Sequence, residues 1–561
     1  MNIERRFLTL RSGHQVHYRT AGDGPVMIMM HSSPNSSTTL IPAMKAFSER
    51  FTCIAIDTPG FGLSDDSVPD KIELRGYADV VSQVLEIFGL KSAVIYGAAT
   101  GAQIGIKFAR RYPRKTRLLI LDEAGHFSKK ELEDFSRGYF VDLKPKRDGS
   151  HLLAAWDACR HLKVFFPWMA DRHDQRIRAD IEQAEGIQLH VDDMLRAGSN
   201  YKEAYWQAMV SENHTHTIQV KVPTLLARNQ SSEVLSQTDS LIALGLPENF
   251  DIVSCNASNR YGSLRDAAAV FSDGVLSQPP SQPPQTNSEP TMQNIMVDVP
   301  GGTLRARICM QGHGRPLMAI HDPAGSSRLV EQILMPYLGR RPVIAFDNPG
   351  NGESEPVLDA INSEAYAICL ISALKALGVD DVDVLGRYSG GPVAMEISFN
   401  KPKLVKHIIQ AGVSLYEGEE QAQLLQYYTP SIAPRWDGRH LLTAWAVMRD
   451  QGLYWPWFNQ TKEGILYNEP AIDVELTHLR VIEMLKAGDR YREAYRAMWT
   501  YPMRDKLPKL KVPNMLCHPP WEPVAYTTGR AQAADPSSVA KELPSAMSEW
   551  HRDIDAFLGA S

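Results

Sequence analysis

Apolar and polar positions along the chain follow two distinct rhythms. Short uninterrupted apolar runs, PVMIMMH (25–31), TCIAID (52–57), SAVIYG (92–97), RLLILD (117–122) and PTLLA (223–227), predict buried strands. Between them, LRGYADVVSQVLEIFGL (74–90) spaces its apolar residues as a helix does and ends around Gly89. The same succession returns in the second half as PLMAIHD (316–322), PVIAFD (342–347), DVDVLG (381–386), HIIQAG (407–412) and PNMLCH (513–518), with SEAYAICLISALKALGV (363–379) as the helix. Strands alternating with helices imply an α/β fold: a mostly parallel sheet covered by helices on both faces.

After the fourth predicted strand each half carries a long Trp- and Tyr-rich insert at helical spacing, about 125–217 and 413–505. Open α/β sheets bind ligands at the C-terminal ends of their strands, so an insert placed there is expected to form a helical lid.

The two halves are copies of one another. AIDTPGFGLS (55–64) returns as AFDNPGNGES (345–354), DGSHLLAAW (148–156) as DGRHLLTAW (437–445), and MLRAGSNYKEAY (194–205) as MLKAGDRYREAY (484–495). A period of about half the chain means a duplicated domain and not a solenoid repeat. A Pro-, Ser- and Gln-rich stretch cannot bury a core and reads as a semi-extended linker. The expected organisation is a first domain over 1–272, a linker over 273–293 and a second domain over 294–561. Two such similar domains are expected to pack as an intrachain pseudo-dimer.

Composition narrows the partners. With 561 residues, a formal net charge of -6 and dispersed Lys and Arg, the chain lacks the basic patch of a nucleic-acid or anionic-membrane binder. No apolar run approaches the ~20 residues of a membrane helix. MNIERRFLTL has no apolar h-region, so no secretory signal is expected there. Six scattered cysteines without CxxC spacing suggest isolated thiols in the cytoplasm. No Gly-rich dinucleotide loop and no ligand-spaced His/Cys/Asp cluster occurs, so neither cofactor nor metal is expected.

Three motifs occur in order, in each half. A turn follows the first buried strand (His31-Ser32-Ser33-Pro34 and His321-Asp322-Pro323-Ala324); then D-x-P-G-x-G-x-S (57–64 and 347–354); then a Gly-flanked strand–turn–helix. Such a turn lifts one side chain above the sheet and needs Gly around it, because a Cβ would clash. Aligned on the glycines, the lifted residue is Ala99, followed by Thr100, in the first copy. In the second it is Tyr388, flanked by Arg387 and Ser389.

This combination resembles the α/β-hydrolase superfamily over nearly all of both copies. The resemblance implies that the His31 and His321 turns build half of an oxyanion hole and that the lifted residue should be a serine nucleophile. Neither Ala99 nor Tyr388 is one. In the family's acid slot stand Glu233, nearby, and Glu522. For the family's histidine the first copy has none after His216, and the second has His551, about a turn into the last helix. The first copy is therefore expected to be degenerate.

The second copy keeps a denser polar set. Tyr388, Glu522, His518, His440 and Ser389 are the candidate catalytic residues; His321, Asp322, Arg387, Trp445 and Tyr491 are the candidate oxyanion and substrate-binding residues. Their first-copy equivalents include His31, Ser32, Ala99 and Thr100. His151 and His440 lie in the repeated DGxHLLxAW, where Asp148 and Asp437 read as helix N-caps. Most lid aromatics are expected to pack the core, with some lining a pocket for a small apolar or aromatic ligand.

Three functions follow from the resemblance. The first is an enzyme with non-serine acid/base chemistry (C–C cleavage, elimination, decarboxylation or isomerisation) on a small carbonyl compound. The second is a serine hydrolase using Ser389. The third is a non-catalytic ligand-binding or assembly protein on a pseudo-hydrolase fold.

Overall fold

The computed structural model describes residues 2–559 apart from 67, 69–70, 171, 178–179, 272–288 and 468. Its compact units are Met1–Lys144 with Ser150–Thr286, and Pro145–Gly149 with Asn287–Ser561. Most of the linker expected over 273–293 lies outside the described residues, and a strand already opens at Gln293.

Each unit holds an eight-stranded sheet. The first comprises β1 (Glu4–Thr9), β2 (Gln15–Ala21), β3 (Val26–Met30), β4 (Thr52–Ile56), β5 (Ala93–Ala98), β6 (Thr116–Asp122), β7 (Thr224–Asn229) and β8 (Phe250–Cys255), in the order β1-β2-β4-β3-β5-β6-β7-β8. β1 and β2 run antiparallel and the other neighbouring pairs from β4 to β8 are parallel. The second sheet repeats this with β9 (Gln293–Val299), β10 (Gly302–Cys309), β11 (Leu317–Ile320), β12 (Val343–Phe346), β13 (Val382–Arg387), β14 (Val405–Ala411), β15 (Asn514–His518) and β16 (Val539–Glu542), ordered β9-β10-β12-β11-β13-β14-β15-β16. These are two α/β-hydrolase-like sheets flanked by helices.

The central strands are the continuous apolar runs. β3 and β4 are buried at every residue, as a sheet covered on both faces requires. Strands β1, β2, β8, β9, β10 and β16 at the sheet edges lie outside the predicted runs, because polar residues interrupt them: β1 is ERRFLT, β10 is GTLRARIC and β16 is exposed throughout.

The insert between β6 and β7 forms helices Lys129–Ser136, Ser150–His161, Ala184–Ala197, Asn200–Val210 and His214–Thr217. Between β14 and β15 lie Gly418–Tyr427, Arg439–Asp450, Val474–Ala487, Arg490–Trp499 and Met503–Lys506. Local chemistry sets their ends. Asp473 caps Val474–Ala487 by accepting from Leu476 N at 2.9 Å, and Gly488, at φ +55°, stops it. Asp437 is displaced from its expected N-cap position. Gly438, at φ +72°, holds that position, while the Asp437 carboxylate still accepts from Arg439 N at 3.2 Å.

All six cysteines are free and buried. Among the described residues no helix is long and apolar enough to cross a membrane.

Candidate functional site

The site of each copy grows from one turn. β5 runs into Ala99 and then helix Thr100–Arg111; β13 runs into Tyr388 and then helix Gly390–Asn400. Ala99 has φ +48° and Tyr388 φ +44°, a left-handed conformation that side-chain-bearing residues adopt at a cost. The surroundings enforce it. A Cβ on Gly97 would stand 2.1 Å from Gly101 O, and one on Gly386 2.2 Å from Gly390 C, so strand and helix approach closely only through glycine. Ala99 N donates to Asp122 O at 2.8 Å and Tyr388 N to Ala411 O at 3.2 Å, which anchors each tip to the next strand.

The turn after β3 and β11 is pinned by its histidine. The His31 Nδ1 bonds Ser32 O at 2.9 Å and its Nε2 accepts from Thr58 N at 3.0 Å. The His321 Nδ1 bonds Asp322 O at 2.7 Å and its Nε2 accepts from Asn348 N at 2.9 Å. Both rings are buried with both nitrogens committed to backbone, which fixes the neutral Nδ1–H tautomer. Burial holds His31 below its ordinary pKa. Both histidines hold the turn against the D-x-P-G loop; His321 does not line the cavity of the second copy, whereas its neighbour Asp322 does.

Asp57 and Asp347 tie that loop down in the same way. Asp57 accepts from Ser37 N at 2.7 Å and Leu63 N at 2.8 Å; Asp347 accepts from Ser327 N at 2.7 Å and Glu353 N at 2.9 Å. The side-chain donor differs: His17 at 2.9 Å in the first copy, where burial holds the imidazole below its ordinary pKa, and the Arg305 guanidinium at 3.4 Å in the second. Burial opposes the charge on Asp347, but Arg305 and the N–H donors outweigh it and hold the carboxyl below its ordinary range.

Over the strand ends of the second copy lies a cavity of about 560 Å³. Tyr388, Arg387, Asp322 and Glu522 form a polar part of its wall; Tyr416, Tyr428, Trp455, Tyr495, Trp499 and Trp521 give it an aromatic face. Tyr428 packs at 5.1 Å from Trp499 and 5.3 Å from Tyr495, between ring centroids. The Tyr388 hydroxyl donates to Glu522 Oε2 at 2.5 Å. Burial, then the charge of Glu522, pushes the Tyr388 phenol well above its ordinary value. Burial also raises Glu522, against the Tyr388 hydrogen bond and the Arg387 charge. Near neutral pH Tyr388 is therefore a protonated donor and Glu522 its acceptor.

The Arg387 guanidinium stands 5.1 Å from the Tyr388 ring centroid, and its Nη1 lies 3.5 Å from Met547 Sδ.

Several expected site residues do not line this cavity. Trp445 and Tyr491 are buried in packing, and the Tyr491 hydroxyl donates to Pro430 O at 2.5 Å. His440 is buried with Nδ1 accepting from Arg435 N at 3.1 Å, and burial lowers its pKa to about 4. His518 closes β15 with Nδ1 bonded to Pro519 O at 3.1 Å. Ser389 has helical φ of -60° at the start of its helix, so the lifted side chain is Tyr388 and not Ser389. His551 opens the last helix, where it was expected a turn further in, and its Nδ1 bonds Ser548 O at 2.8 Å.

The first copy is built differently at the same place. Thr100 Oγ1 accepts from Ser33 N at 3.3 Å, and Ser32 Oγ accepts from Asn35 Nδ2 at 2.8 Å, so the turn's polar groups bond one another. Glu123, which sequence reasoning missed, has φ +61° and sits beside Arg260 at 3.1 Å; burial raises its pKa to about 7. Its partner position is Gly412, as the strand pairings Ala98↔Asp122 and Arg387↔Ala411 establish. A Cβ on Gly412 would stand 2.6 Å from Tyr388 Cε1. Ala99 thus goes with Glu123 and Tyr388 with Gly412: the ring takes space that a side chain at 412 would need. Aligning the two copies displays both differences, although not their contact.

Residues 25–240 match the family model of the alpha/beta hydrolase fold. The chain is similar to 2-(acetamidomethylene)succinate hydrolase of Mesorhizobium japonicum, 31% identical over 105 residues that make 19% of this chain and 37% of that one. Similarity to cis-3-alkyl-4-alkyloxetan-2-one decarboxylase of Shewanella oneidensis is 29% over 128 residues, 22% and 40% of the two chains. With 2-hydroxymuconate semialdehyde hydrolase of a Pseudomonas species it is 27% over 223 residues, 38% and 70%. The chain spans 34% of the length of the first curated relatives it matches, which are uncharacterized mycobacterial proteins.

Proposed function

We propose that the second copy is an enzyme of the α/β-hydrolase type that works without a serine nucleophile, by acid/base chemistry on a small aromatic or apolar carbonyl compound. The observation that carries this is the Tyr388–Glu522 hydrogen bond of 2.5 Å in the wall of an aromatic cavity. A phenol held in a strained turn and bonded to a raised-pKa carboxyl is a proton donor with an acceptor behind it. When substrate binds, the single Tyr388 O–H turns from Glu522 to the substrate's carbonyl oxygen and polarises or protonates it; after a transfer Glu522, as the carboxylic acid, re-protonates the phenolate and recovers its proton from the substrate carbon acid or water. Such a pair suits C–C cleavage, elimination, decarboxylation or isomerisation, where no acyl-enzyme forms. Relatives named as hydrolases of a semialdehyde and of a substituted succinate, and one named as a decarboxylase, fit carbonyl chemistry of this breadth.

The helical conformation of Ser389 speaks against the serine-hydrolase reading. A binding or structural role suits the first copy, where Ala99 offers no reactive group and Thr100 occupies the Ser33 N–H.

The test uses the full chain with a panel of aromatic ketones, oxo acids and enones, following product by mass spectrometry. Tyr388→Phe should lower turnover on the order of 10²-fold or more while substrate binding survives. Unchanged turnover in that variant would sink the acid/base reading.

A further inference from the structure

We propose that the ligand of the second-copy cavity is an organic carboxylate with an aromatic or apolar body, its anionic group held by Arg387 with Arg480 as a second cation in the same wall. This deepens the reading of the cavity as a substrate site and rests on it.

Arg387 lines the cavity yet is only 8% exposed. It forms no ion pair among the described residues. Its contacts are the Tyr388 ring and the Met547 thioether, and its Nε has no hydrogen-bond partner. A ring face and a thioether are weak partners for a group that is always charged and carries five N–H donors. Burying such a charge is unfavourable unless an anion pairs with it.

Other poorly exposed arginines of this protein follow that rule. Arg260 meets Asp122 at 2.7 Å, Arg341 meets Asp383 at 2.7 Å and Arg305 meets Asp347 at 3.4 Å. Arg387 departs from it in the wall of the cavity. Arg480, also in the wall, bonds only the neutral Gln451 Oε1, at 2.9 Å, and likewise forms no ion pair among the described residues.

Among the described residues no acid of the wall forms an ion pair with Arg387. The charge of Glu522 acts on Arg387, but its carboxyl is engaged by the Tyr388 hydroxyl; Glu469 is exposed, and Asp473 caps its helix. Asp322 reaches Arg387 only at long range, and its buried Oδ1 has no partner either, so it faces the ligand as an acceptor for a hydroxyl or N–H. Arg449 is taken by Asp450 at 2.7 Å. A carboxylate matches the planar fork of a guanidinium in a way no neutral group does.

The pair 3-phenylpropionate and 3-phenylpropanamide tests this, since the two differ in charge and hardly in shape. Trp455, Trp499 and Trp521 line the cavity, so tryptophan quenching in the full chain at pH 7 reports binding. The carboxylate should bind about 10-fold or more tightly than the amide. Arg387→Met should erase that preference and leave the amide's affinity within about twofold, while Arg387→Lys should keep part of it. An affinity for the carboxylate no greater than for the amide, including binding of neither, overturns the proposal, as does a preference undiminished in Arg387→Met. The wild-type comparison stands even if a variant fails to fold. Because no turnover is read, and because Tyr388→Phe should keep the carboxylate preference, loss of this inference and loss of the enzymatic reading are separate results.

Discussion

Substituting Gly412 with alanine adds one methyl group at a point where the two copies differ. The new Cβ would meet Tyr388 Cε1 at 2.6 Å and Cδ1 at 2.8 Å, closer than real Cβ atoms stand to their neighbours, and Cζ at 3.1 Å, a tight contact. Two costs add. Alanine at φ +80° carries left-handed strain of about 1–2 kcal/mol. Displacing the ring costs about 1–3 kcal/mol as overpacking. The sum is about 2–5 kcal/mol. If the ring escapes into the cavity instead, it gives up its bond to Glu522, a loss of similar size. The ring-dependent part is isolated by repeating the substitution in a Tyr388→Ala background, where only the strain remains. The coupling energy from urea unfolding of the four proteins, followed by circular dichroism, should be about 1–3 kcal/mol. Equal cost of Gly412→Ala with and without the ring would refute the reasoning: glycine would then be present for its backbone alone.

Three further outcomes follow from the site and its scaffold. Glu522→Gln should be less destabilising, or more stabilising, at pH 7 than at pH 4. Burial raises the folded-state pKa of Glu522 above its unfolded value, so the wild type has this contribution in full below about 4.3 and loses it as pH rises through the folded value. A pH-independent difference in unfolding free energy would contradict it. Asp347→Asn should cost about 3–5 kcal/mol by leaving buried Arg305 without its anion, measured by urea unfolding near neutrality. Because the Asp347 pKa is depressed in the fold, the wild type's advantage should hold above about 3.9 and shrink only as pH falls below it. His440→Asn should leave turnover intact and flatten the acid limb of stability. With a folded pKa of about 4 against an ordinary ~6.5, His440 makes the wild type lose stability as pH falls between those values. A large turnover loss in that variant would restore His440 as a lid-borne base.

The central strands were legible because strands buried on both faces write continuous apolar runs, and both turns because glycine brackets them. The edge strands were not, since Glu4, Arg5 and Arg6 in β1 carry no such signature. The site was legible at the residues the backbone fixes: Arg387, Tyr388 and Glu522 stand where the motif order puts them. It was less so where tertiary packing decides. Helical spacing marks Trp445, Tyr491 and Tyr495 alike as one kind of residue, but of these Tyr495 lines the cavity; Tyr491, one turn earlier on the same helix, bonds Pro430 O instead, so position along the helix and tertiary packing decide. The hydrogen bonds of His321 were not legible for a similar reason. A histidine's chemistry depends on what both ring nitrogens touch, and Asn348 lies 27 residues away from it.

Duplication also separates what holds the turn from what acts at it. Where the copies share a hydrogen bond, it is structural: His31 and His321 make the same two backbone bonds, and Asp57 and Asp347 the same two N–H bonds. The partner there changes, His17 for Arg305, but a nitrogen donor stays beside the carboxylate. At the tip the differences come as a matched pair, Ala99 with Glu123 against Tyr388 with Gly412. A serine lost at one position alone would leave a neutral stub and ask nothing of position 412. The Tyr388 ring asks for a glycine there and a carboxyl at 522, and both are in place. The second copy therefore reads as a turn repacked around a phenol, a different construction from the first copy's alanine in the same strained conformation.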